Sequence, residues 1–74
     1  MTDRARLYAQ LAFVCDRDAA VLTHEHEWPP VMPTTGELGE AAYLTAIGDD
    51  LFARAEALGF SGGINAAFGG SDDD

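Results

Sequence analysis

The apolar positions fall into two stretches of helical period, separated by three prolines. In the first, Leu7, Leu11 and Val14 recur at i, i+4 and i+7 with Tyr8, Ala12 and Cys15 beside them, the spacing of an amphipathic helix. Thr2 is placed to cap this helix, and Asp3 lies in the first turn, where the helix dipole favours an acid. Continued at about 100° per residue, the stripe runs through Asp18, between Leu11, Val14, Val21 and Leu22. A bare carboxylate is costly to bury. The pattern therefore predicts a break near Cys15–Arg17, with Asp18 capping a second, short helix from Ala19 to about His26. Val21 to Trp28 also alternates with a period of 2, so a strand is the rival reading. Its only pairing would be across a dimer axis, because the rest of the chain offers no second strand.

Pro29, Pro30 and Pro33 forbid helix and predict an extended crossing, with Trp28, Val31 and Met32 pinned on the core. Thr34 to Glu37 then reads as a capping box that opens the clearest helix of the chain. Leu44, Ile47, Leu51 and Leu58 share one face of it, with Ala41 and Ala55 alongside, and form the expected core stripe. Gly48-Asp49 is a point where this helix can be interrupted. Leu58-Gly59-Phe60 is a stop signal, with Gly59 left-handed and Phe60 folding back. Beyond it, Ile64 and Phe68 sit four apart between glycine pairs, and one docked helical turn is expected there. The predicted fold is all-α: a small bundle of two to three helices in residues 1–60, with a proline-rich connection and a glycine-rich acidic tail at 61–74.

Length changes this picture by making the core thin. A chain of 74 residues allows one domain, and one of that size buries only about 60% of the surface it exposes when unfolded. With Cys15 the only cysteine, no internal disulfide compensates, so self-association is expected. The lone thiol, the absence of an apolar run near the ~18 residues of a membrane span, and an N-terminus without a long apolar region point to the cytoplasm, a host's if the chain is phage-encoded.

Charge changes it more. Thirteen acids face four arginines and no lysine, a net charge of -9, of which the tail Asp72-Asp73-Asp74 supplies three and the rest of the chain six. Such a field repels nucleic acid and anionic membranes and attracts basic protein surfaces. The same charge also serves solubility.

The chemistry of individual residues excludes more than it suggests. His24 and His26 would share an ion only in a strand, since on a helix they diverge by about 200°. Their spacing matches no zinc signature, and no metal or cofactor is expected. Cys15 lies on the apolar stripe, where an inert thiol is expected and not a nucleophile. There is no phosphate loop, no calcium loop and no basic-aromatic stripe for nucleic acid. Catalysis is not expected. What remains is surface. The outer side of the helix after Thr34 carries Ala42, Ala46, Ala53 and Ala57 with Asp49, Asp50 and Glu56. These three acids form the expected partner-binding set, with Glu37, Glu40 and the outward Phe13 as secondary members; Phe13 has an equal claim to a place in the core.

Size and charge are those of acidic mini-proteins of phages and mobile elements that occupy basic, nucleic-acid-binding proteins, the DNA mimics of anti-restriction and anti-CRISPR type. No motif ties the chain to any of them. The leading expectation is a non-catalytic inhibitor of that class. The alternative is a structural or assembly subunit that forms a helical homo-oligomer.

Overall fold

A computed structural model describes residues 3–69, and the Thr2 cap and the acidic end of the tail lie outside them. Two long helices, α1 (Asp3–Leu22) and α2 (Thr35–Ala57), are followed by a single π-helical turn, Asn65–Gly69. No strand occurs among the described residues. The all-α expectation holds, and Val21 to Trp28 continues α1 and then turns.

The helices fold back on each other along their smallest side chains. α1 buries Ala5, Ala9, Ala12 and Ala19, and α2 buries Ala41, Gly48 and Ala55. Ala55 packs with Ala5 and Ala9, Gly48 lies against Ala12 and Cys15, and Ala41 shares a groove with Ala19, so the pair is antiparallel. Gly48 marks how close the backbones come. A Cβ there would stand 3.2 Å from the Ala12 carbonyl oxygen and 3.3 Å from the Cys15 Cβ. The helix therefore runs through Gly48-Asp49 without interruption, because at this position glycine admits the neighbouring helix.

This seam overturns three sequence expectations for one physical reason. The alanines face inward, so the leucines lie on the flanks: Leu7 and Leu11 are exposed, and Leu44, Ile47 and Leu51 are only half-buried. The predicted break at Cys15–Arg17 is absent. Asp18 is itself exposed, and an unbroken α1 leaves its carboxylate in water. Trp28, Val31 and Met32, expected on the core, are exposed, Trp28 and Met32 at 88% each, because alanines and Gly48 already fill the seam between the helices.

The ends follow local rules. The Thr34 hydroxyl accepts from the Glu37 N–H (3.1 Å), and Glu37 Oε1 accepts from the Thr34 N–H (2.8 Å), closing the capping box. At the other end Gly59 takes φ 103°, and the Phe60 N–H donates to the Ala55 carbonyl at 3.0 Å. Phe60 is thereby turned inward to join Ala5, Ala9, Ala55 and Ala67.

The result is a slab. The Cα extents are 40 × 24 × 12 Å, so the molecule is one helix layer thick. Its radius of gyration is 14.2 Å, whereas a compact domain of this length would have about 11 Å.

Candidate functional site

Two broad faces result from a single helix layer, and the candidate residues divide between its faces and edges. On one face Phe13 meets Phe52 edge to face at 5.7 Å and Phe68 at 6.4 Å, and Phe52 meets Phe60 at 5.7 Å. The C-terminal turn docks here, held by the Gln10 amide donating to the Ala67 carbonyl at 2.8 Å. Phe13 is therefore half-buried in an aromatic cluster. Beside it lies an open apolar cavity of about 450 Å³, lined by Phe13, Val14, Ile64 and Phe68 with Arg17 and Asn65.

The three leading acids do not share one surface. At about 100° per residue, Asp49 and Glu56 fall on the Phe52 side of α2, two turns apart. Asp50 lies about 100° further round and accepts from Arg54 Nε at 3.0 Å. All three are exposed. The structure adds a carboxylate that the sequence reading passed over. Asp16 reaches across to α2, and its carboxyl is pushed up, first by burial and then by the charge of Asp49. A groove of about 390 Å³ adjoins it, lined mainly by Ala19, Ala20, Ala41, Ala42 and Thr45, with Asp16 and Glu25 as its carboxylates. The signal for Asp16 was its place in the small-residue series Ala5, Ala9, Ala12, Ala19.

Glu37 is engaged twice. Besides closing the capping box, its Oε2 bonds to His24 Nε2 at 3.1 Å, while His24 Nδ1 bonds to Glu27. Both ring nitrogens face carboxylates, which favours the imidazolium. The hydrogen bond to Glu27 raises the His24 pKa above its ordinary 6.5 against an opposing effect of burial, and the bond to Glu37 adds to it. The Thr34 N–H holds the Glu37 carboxyl below its ordinary 4.5. His24 sits at φ 57°, the left-handed region, so this clasp joins a strained turn to the start of α2.

The clasp makes stability depend on pH in a definite sense. The His24 contribution is complete below 6.5 and disappears as pH rises through the raised folded value; that of Glu37 is complete above 4.5 and disappears as pH falls through the lowered one. The melting temperature is expected to decline as the solution is taken from about pH 6 to pH 8. His24→Asn tolerates the same backbone angle and should flatten that decline. An equally steep decline in this variant would show that the clasp does not titrate.

His24 and His26 do not converge on a common point: His26 lies 3.6 Å from Glu25 on the surface. Among the described residues no group of three His, Cys, Asp or Glu is arranged to hold a metal ion. Glu40 is exposed on α2, and Cys15 is half-buried on α1. No described helix is long and apolar enough to cross a membrane. No family model, no curated protein and no solved structure matches the chain.

Proposed function

We propose that this chain is a non-catalytic protein–protein interaction module, an acidic inhibitor that docks on a basic, nucleic-acid-binding protein as a mimic of the nucleic acid. One observation carries the reading. Asp49 and Glu56 stand exposed along one side of α2, outside any ion pair among the described residues. Seven residues of helix separate them by ~10.5 Å in rise, wider than successive phosphates of one strand, so they answer alternate positions of a basic groove. The small-residue groove beside Asp16 and Glu25, about 390 Å³, has room for a lysine or arginine side chain, and its two carboxylates would meet that charge. The negative field of the whole chain steers the encounter.

The experiment is titration of the labelled chain against purified basic nucleic-acid-binding proteins at several salt concentrations. Asp49→Asn with Glu56→Gln is expected to stay folded, to lose about tenfold or more in affinity and to bind with a shallower salt dependence. Asp50→Asn, turned away and paired with Arg54, should change affinity little. If the double variant binds as tightly as the parent, this side of α2 is not the working surface.

A further inference from the structure

The face opposite the aromatic cluster is built differently. Each long helix carries a second stripe beside its small-residue seam. On α1 it is Arg4, Tyr8, Leu11, Cys15, Asp18 and Leu22, and on α2 it is Glu40, Leu44, Ile47, Leu51 and Arg54, with Leu58 capping its end. Both follow the alternating four-three spacing that defines a seam between packed helices. Both lie about 100° round from the small-residue seam in the same rotational sense. Because the helices are antiparallel, that shift brings both stripes to one side of the slab. The hairpin alone leaves them uncovered, with Leu11 43% and Leu58 40% exposed and the other apolar members half-buried.

We propose that a second copy of the chain covers this face, packed across a two-fold axis perpendicular to the helices, so that the loops lie at opposite ends of a four-helix bundle. The charges on the two stripes select this occupant and this orientation. Arg4 and Asp18 stand seven residues before and after Leu11, and Glu40 and Arg54 stand seven before and after Ile47. Gly48 lies against Ala12, so Leu11 and Ile47 are level to within about one helical turn of ~5.4 Å. An axis through this level stacks each helix on its own copy, running the other way. Arg4 then meets the partner's Asp18, and Glu40 meets the partner's Arg54, each pair occurring twice by symmetry. An axis along the helices would instead set Asp18 by the partner's Glu40 and Arg4 by the partner's Arg54, opposing like charges at both ends. A face of 40 × 24 Å is large enough for the ~800 Å² per partner of a standard interface. The arrangement also accounts for Asp18, an acid set in an apolar stripe, as an interface charge.

The test uses the full chain. Sedimentation equilibrium of the parent at micromolar concentration is expected to give a dimer, and Leu11→Cys in a Cys15→Ser background should oxidise to a disulfide-linked dimer, because the axis brings position 11 against itself. Arg54→Glu should weaken dimerisation by about tenfold or more, and adding Glu40→Arg should restore it. Arg4→Glu, with and without Asp18→Arg, repeats the test on α1 should the α2 variants lose helicity. Asp49→Asn with Glu56→Gln should leave the dimer unchanged, so this inference and the reading of the acidic side of α2 fail separately. A parent that stays monomeric at about 0.1 mM, far above the Kd of a stable interface, overturns the proposal. So does a dimer indifferent to both charge reversals while circular dichroism shows full helix content.

Discussion

Gly48→Leu is expected to lower the melting temperature by about 10 °C or more. Even the first side-chain carbon would stand 3.0 Å from Asp16 Oδ1 and 3.2 Å from the Ala12 backbone oxygen. The acid side chain can swing away, but the carbonyl belongs to a helix and cannot. Three further carbons must then force α1 and α2 apart along their whole seam. Overpacking of this kind costs about 1–3 kcal/mol or more, and each kcal/mol moves the midpoint of a domain this small by roughly 4–8 °C. Gly48→Ala separates the two effects acting at this site. A helix gains about 1 kcal/mol when alanine replaces glycine, and the tight contact with Ala12 opposes that gain, so its midpoint should stay within a few degrees of the parent. Thermal melts followed by circular dichroism decide both. An unchanged midpoint for Gly48→Leu would mean that the helices do not approach closely at this level.

Phe60→Ala should be the most damaging truncation in the chain, at about 3–5 kcal/mol. Phe60 is 4% exposed and is the one large side chain among the buried residues described; its companions there are alanines and Gly48. Its ring packs edge to face on Phe52, and its backbone N–H closes the end of α2 on Ala55. Removing it loosens the helix stop and the aromatic surface on which the C-terminal turn rests. Small domains hold a margin of only about 5 kcal/mol or so, so much of the population would be unfolded. Urea titration gives the cost directly. A loss below about 1 kcal/mol would place the stabilising core elsewhere, since a buried aromatic cannot be removed so cheaply.

The helix boundaries were legible because their signals are local. Thr34 and Glu37 form the predicted box, Gly59 takes the predicted left-handed angle, and a single turn lies between the glycine pairs. The packing face was not legible by the usual rule, which sends the largest apolar residues inward. Ala5, Ala12 and Ala19 repeat every seven residues, as do Ala41, Gly48 and Ala55, and that repeat was the signal for a close-packed pair. Reading the leucine stripe as the core made Asp18 look like a break and Trp28 like an anchor. Among the candidate site residues, spacing on a helical wheel grouped Asp49 with Glu56 and should have set Asp50 apart. Phe13 had equal claims to core and surface, and it stands between them, against Phe52 and Phe68. Asp16 and the His24–Glu37 contact join residues distant in sequence, so they required the antiparallel pairing to be known first.

The alanine seam leaves one question of alignment to other parts of the molecule. Alanine has no rotamers to freeze, so zipping the helices together costs little side-chain entropy. A row of identical small knobs also tolerates slippage. Sliding α2 along α1 by one seven-residue step, ~10.5 Å, would still set two of three small residues opposite each other. The seam by itself therefore does little to forbid a misregistered hairpin. What forbids it lies outside the seam: Phe13 of α1 meets Phe52 of α2, and His24 grips Glu37 at the first turn of α2. In this protein the clasp and the ring pair act as the ruler against which the two helices are measured, so losing both would permit alternative alignments that the seam itself cannot reject.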